Sequence, residues 1–153
     1  MIALCLLAGC CGYSTRSLLP SHLKTVAVPP ATNSTTQPGL AEGLTDELIS
    51  AFNSDRTLRV TNSEAADLVV NVTVSNYSRS PVSYTGDQAV SSYRLSVSAQ
   101  VDARDQTRDE KFYSGAASAA IDYDPAAKTE EATTVEALKK LASEIVRQVL
   151  ITW

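Results

Sequence analysis

Residues 93–104, YRLSVSAQVDAR, alternate along their whole length. Tyr93, Leu95, Val97, Ala99, Val101 and Ala103 fall on one side, and Arg94, Ser96, Ser98, Gln100, Asp102 and Arg104 on the other. A period of two sustained this long is that of a strand with one face packed and one face wet. A sheet of such strands needs cover on its apolar side only.

Working outward, Leu68, Val70, Val72 and Val74 repeat the pattern, with Asn71, Thr73 and Ser75 opposite. Residues 24–30, KTVAVPP, read as a first strand with Val26 and Val28 inward, halted by the proline pair. Leu58-Arg59-Val60 is a brief strand. Residues 111–121 read as a returning strand of mostly small residues after a charged turn over 105–110. Between the two clearest strands, residues 76–87 hold Tyr77, Arg79, Pro81, Tyr84 and Gly86, which suits a loop or a long irregular hairpin.

The cover comes from two stretches with a different period. Leu40, Leu44, Leu48 and Phe52 recur every four residues, with Glu42, Asp46 and Glu47 off that face, and this helix ends near residues 53–55. Near the C-terminus Val135, Leu138, Ala142, Ile145 and Val149 form a stripe widened by Leu141, Val146 and Leu150, and Thr133-x-x-Glu136 reads as its capping box. The expected fold is α+β: a two-layer sandwich in which a mostly antiparallel four- to five-stranded sheet packs against two helices. It occupies residues 24–153 as one domain, a length that suits a single core.

Composition narrows the function. Charged residues make up 20% of the 153 and the formal net charge is −4, which argues against a nucleic-acid partner. Cys5, Cys10 and Cys11 all lie in the first dozen residues, so no disulfide staples the body. A structural zinc site needs about four ligands, and the single histidine, His22, completes none; the reading gives it no role. There is no Gly-x-Ser-x-Gly, no glycine-rich loop opening a helix and no nucleophile with a base, so neither catalysis nor a cofactor is expected. Asp122 and Asp124, flanking Pro125, read as turn and helix-cap residues.

Residues 2–8 form an apolar run ending in small residues, too short to span a bilayer. Leu7-Ala8-Gly9-Cys10 resembles the lipobox of bacterial lipoproteins, which implies that residues 1–9 are a signal peptide, cut short of its charged start, and that Cys10 becomes the lipidated first residue of a segment spanning 10–23. Several acyl chains on one cysteine hold a protein stably on a membrane, at about 0.8 kcal/mol per buried CH₂.

Further along, Gly12-Tyr13, Leu19-Pro20, residues 23–29, Asn33-x-Thr35, Pro38-Gly39-Leu40, Leu44-Thr45, Ala66-Asp67-Leu68, Pro81-x-Ser83-Tyr84 and Tyr93-Arg94-Leu95 stand in an order that resembles the LptE-type lipopolysaccharide-assembly lipoproteins. The resemblance implies an outer-membrane lipoprotein, lipid-anchored, with its body on the periplasmic side inside the lumen of an LptD-type β-barrel. It would help that barrel assemble and take part in lipopolysaccharide transport to the cell surface. Phosphate and carboxylate groups of the glycolipid would be met by arginine or lysine. The candidates are Arg79, Arg94, Arg104 and Lys111, on or beside the polar strand face. A competing reading shares the strand, Asn-x-Thr, helix and Ala-Asp pattern: a periplasmic lipoprotein resembling curli-secretion channels or activators of peptidoglycan synthases.

Overall fold

The computed structural model describes residues 19–61, 66–87 and 89–151. The elements are β1 (Thr25–Ala27), β2 (Thr32–Asn33), α1 (Leu40–Asp55), β3 (Arg59–Val60), β4 (Leu68–Tyr84), β5 (Val90–Asp105), β6 (Glu110–Tyr123) and α2 (Glu130–Ile151). Cys10, the expected signal peptide and most of the expected segment 10–23 lie outside the described residues.

Both long alternating stretches form strands that bury the predicted face. Leu68, Val70, Val72 and Val74 on β4 meet Leu95, Val97, Ala99 and Val101 on β5 in one core with α1 and α2. Leu44, Leu48 and Phe52 are wholly buried, as the spacing of four requires. The helices lie on one side of the sheet and leave the other side open.

The sheet is larger and less uniform than expected. It has six strands in the order β3-β1-β4-β5-β6, with β2 alongside β4. Only β4, β5 and β6 run antiparallel; β1 is parallel to both β3 and β4, and β2 is parallel to β4. The cause is α1. A helix between strands carries the chain back to the end it left, so β3 enters in the direction of β1. The sheet is therefore mixed rather than mostly antiparallel.

Of the two readings of residues 76–87, the structure takes the long irregular hairpin and not the loop. β4 runs on to Tyr84 and pairs with β5 nearly to its tip, with register shifts that leave Ser75 unpaired between Val74 and Asn76. That bulge exchanges the faces of β4, because one extra residue in a period of two reverses every side chain after it. Before it Val72 and Val74 face the helices; after it Tyr77 and Arg79 do, opposite Val97 and Leu95.

α2 begins earlier than the capping box proposed. Thr129 acts as the cap, its hydroxyl accepting the Ala132 N–H at 3.2 Å, while Thr133 is buried within the first turns and donates to the Thr129 carbonyl at 2.8 Å. Val135 is 58% exposed. It stands two residues from buried Ala137, about 200° round the helix, and so leaves the stripe.

Candidate functional site

The face of the sheet turned away from the helices is built by the even residues of β5 and their neighbours. Ser96, Ser98, Gln100 and Asp102 sit beside Asn71 and Thr73 on β4 and Ser114, Ala116, Ser118 and Ala120 on β6. Small side chains on three long strands make this surface flat, polar and accessible over most of its length.

Charges are confined to its two ends. At one end Arg94 grips Asp122 on the neighbouring strand through two bonds, Nε to Oδ1 at 2.6 Å and Nη2 to Oδ2 at 2.7 Å. The paired geometry holds the Asp122 carboxyl below the usual carboxylate range. At the other end Arg104 and Lys111 are cross-strand partners. With Asn71, Asp102 and Ala103 they line a shallow depression of about 200 Å³. Arg104 reaches Asp109 at 2.7 Å, and Asp102 accepts the Ser114 hydroxyl at 2.6 Å. Lys111 makes no ion pair among the described residues. The depression thus presents one free ammonium and one guanidinium satisfied only by an exposed carboxylate, a pairing that an incoming phosphate or carboxylate can replace.

The four cations expected to share this face do not all do so. Arg104 and Lys111 come together. Arg94 is on the same face but ten residues along β5, roughly 33 Å at about 3.3 Å per residue. Arg79 belongs to the opposite face: the bulge at Ser75 turns it toward α2, where it meets Glu130 at 2.6 Å and lies 4.5 Å over the Tyr93 ring. The reading of residues 76–87 as a loop or irregular hairpin had set Arg79 beside the polar face, and the bulge in a strand that runs on to Tyr84 puts it on the other side.

Several motif residues serve the fold. Asn33 Oδ1 accepts the backbone N–H and the hydroxyl of Thr35, so Asn-x-Thr is a turn. The Thr45 hydroxyl accepts the Ala31 N–H at 2.9 Å and donates to the Ala41 carbonyl, fixing α1 to the end of the loop after β1. Asp67 Oδ2 accepts the N–H groups of Lys24 and Thr25 and the Thr25 hydroxyl, locking the start of β1 to the start of β4. The Lys24 and Thr25 bonds hold its carboxyl below the usual range.

One polar pair was missed altogether. His22 Nε2 lies 2.5 Å from Oδ2 of Asp105, a residue only 1% exposed. A signal for it existed. Asp105 continues the inward parity of Leu95 through Ala103, and an inward carboxylate needs a buried partner.

Among the described residues no group of side chains is arranged to hold a metal ion, and no helix is long and apolar enough to cross a membrane. A family model described as LptE, lipopolysaccharide-assembly, matches residues 23–151. No curated protein matches the chain. Solved structures share the fold at low identity. A hypothetical protein from Chlamydia trachomatis is similar at TM-score 0.61 and 14% identity, covering 82% of this chain and 95% of its own. An uncharacterized lipoprotein B from Nitrosomonas europaea gives 0.59 and 14%, covering 84% and 83%. A PelC dodecamer from Paraburkholderia phytofirmans gives 0.57 and 12%, covering 83% and 89%.

Proposed function

Because the chain belongs to the LptE lipopolysaccharide-assembly family, we propose that it is an outer-membrane lipoprotein, anchored through Cys10, whose open sheet face lies against the lumen of an LptD-type β-barrel during lipopolysaccharide transport. The observation that carries the reading is that face itself. It is long and flat, its centre is uncharged and hydrogen-bonding, and its cations stand at its ends. The interior of a transmembrane barrel is polar, and side chains such as Ser98, Gln100 and Ser118 match it without burying an unpaired charge. The helix layer has no such character; its inward face is the core.

On this reading the depression at Arg104 and Lys111 receives an anionic group of the glycolipid, and Arg94 offers a second contact after parting from Asp122. Neither role requires catalysis, and the protein acts by binding and by shape.

The test is recovery of the full-length protein from its native outer membrane with a photo-crosslinking residue at Ser98 or Ser118, compared with Ser50 on the helix side. Crosslinks to a large β-barrel from the sheet face and not from Ser50 support the proposal. Crosslinks to a peptidoglycan synthase, or no adduct with a barrel from the sheet face, overturn it.

A further inference from the structure

One end of the domain gathers the starts of the first strands and the ends of both helices. β1 and β3 begin there side by side, with the Arg59 N–H donating to the Lys24 carbonyl at 3.0 Å. The turn after β5 closes against the start of β4, where the Gln106 N–H donates to the Asp67 carbonyl at 2.8 Å. α1 runs down into β3, and α2 descends from Glu130, bonded to Tyr77, to Gln148, bonded to Tyr113. The chain enters the domain at this same end, where His22 meets Asp105.

Its charges differ from those of the rest. Among the described residues the lysines and arginines without an ion pair are Lys24, Arg56, Arg59, Lys111, Lys139 and Lys140. The first four stand at this end and are exposed. Of the carboxylates without an ion pair, Glu42, Asp46, Asp87, Asp124 and Glu131 lie in the opposite half. Those nearest the cations are engaged: Asp67 by the Lys24 and Thr25 N–H groups, Asp55 by the Thr57 N–H at 3.2 Å. Helix dipoles favour acids at the starts of α1 and α2 and a base such as Arg56 at the end of α1. Lys24 and Arg59 lie outside the helices, so the dipoles do not account for them.

An apolar feature stands beside these cations. α2 ends here on Ile151, 57% exposed, and the sequence continues with Thr152 and Trp153, the one tryptophan of the chain. Two residues reach about 7 Å at most. Tryptophan favours the layer between water and hydrocarbon, and lysine and arginine favour the anionic headgroups beside it.

The tether says which surface is met. Cys10 precedes Leu19, the first described residue, by about 30 Å of chain at most. Tyr84, at the far end of β4, is roughly 50 Å away from the entry end at about 3.3 Å per residue. Acyl chains on Cys10 therefore hold the entry end, and not the tip of β4, close to their leaflet.

We propose that this end is a membrane-docking surface, and that its occupant is the anionic phospholipid leaflet in which the acyl chains of Cys10 sit. Lys24, Arg56 and Arg59 meet headgroup phosphates, and the end of α2 with Trp153 enters the interfacial layer. The inference rests on the Cys10 anchor of the proposed function and not on the barrel, and it leaves the centre of the open sheet face free.

The experiment reconstitutes the acylated protein, purified free of partners, into vesicles of phosphatidylcholine alone or with about 30% phosphatidylglycerol. The readout is quenching of the Trp153 emission by lipids brominated near the interface. Quenching is expected to be strong with phosphatidylglycerol, weak without it, and reversed by about 0.5 M salt. Lys24→Glu, Arg56→Glu and Arg59→Glu are each expected to lower the ratio of docked to undocked protein about fivefold or more, whereas Lys139→Glu, the same change of net charge higher on α2, is expected to alter it less than about twofold. Circular dichroism confirms that each variant is folded. Equal quenching in the two kinds of vesicle overturns the proposal, and so does a Lys139→Glu effect as large as the other three. Flotation with phosphatidylcholine alone reads the anchor apart from the docking: a chain that stays in solution there refutes the anchor at Cys10 and with it the leaflet as occupant.

Discussion

His22 Nε2 and Asp105 Oδ2 stand 2.5 Å apart across a separation of 83 residues, and they join the segment before β1 to the end of β5. Burial pushes the Asp105 carboxyl up, but the His22 bond and the N–H groups of Arg108 and Thr107 outweigh it and hold it below the ordinary carboxylate range. His22→Ala leaves the buried carboxylate with its two backbone donors alone. The expected loss in urea unfolding is about 1.5–3 kcal/mol, the range for a hydrogen bond to a charged group. A loss below about 0.5 kcal/mol would show that water replaces the imidazole without cost.

Glu144 offers a second test, on pH. The Arg147 guanidinium, then the Gln148 amide, draw its carboxyl from 4.5 down to about 2. A carboxylate lowered by folding contributes stability that is full above its unfolded pKa and is lost as pH falls through the folded one. That window runs from 4.5 down to about 2. Carbon-detected NMR is expected to follow the Glu144 carboxylate titrating near the lower limit, and Arg147→Gln to move its midpoint back toward the upper one. A wild-type midpoint already at the upper limit would mean that the pair does not form in solution.

Deletion of Ser75 removes the bulge and returns β4 to one unbroken alternation. Asn76 then follows inward Val74 directly, so Tyr77 and Arg79 keep facing α2 and stay opposite Val97 and Leu95. In the wild type Tyr77→Phe loses the hydroxyl that donates to Glu130 at 2.8 Å and is expected to cost about 0.5–1.5 kcal/mol. In the deletion background the same substitution is expected to cost as much. A silent substitution there would show that the arm beyond Asn76 slips its register when the bulge is lost.

The seam between the helices makes the fourth prediction. Phe52 is fully buried on α1, and Phe52→Ala is expected to cost about 3–5 kcal/mol in chemical denaturation. Gly43 lets α2 approach: a Cβ there would stand 2.9 Å from Leu138 Cδ1. Gly43→Leu is expected to cost about 1–3 kcal/mol through overpacking, and a neutral result would place slack between α1 and α2.

Strong periods made the fold legible. The alternation on β4 and β5 and the spacing of four on α1 each named the buried residues correctly, because burial on one face leaves its mark at every step. Parallel pairing left no such mark: β1, β2 and β3 are two or three residues long, and their direction is set by α1 rather than by their own side chains. The site was legible in part. Even residues of β5 predicted the polar face and its cations Arg94 and Arg104, and Lys111 joined them through the β6 register. Arg79 was set beside that face because residues 76–87 carry no clear period, and the unpaired serine that decides its side looks like any other residue of a polar strand. The inward Asp105 was read as turn because the pattern was followed by hydrophobicity and stopped at Ala103.

The parallel contacts of β1 carry a consequence for the order of events in time. Val26 leaves the site of synthesis well before Val60 and Leu68, the neighbours between which it lies. β4, β5 and β6 follow one another through short turns and close quickly, whereas β1 must wait for a chain more than forty residues longer than itself. The first strand made is thus the last to be seated. Until it is seated, the inner edge of β4 stays open, and Asp67 and the segment leading to His22 have nothing yet to hold.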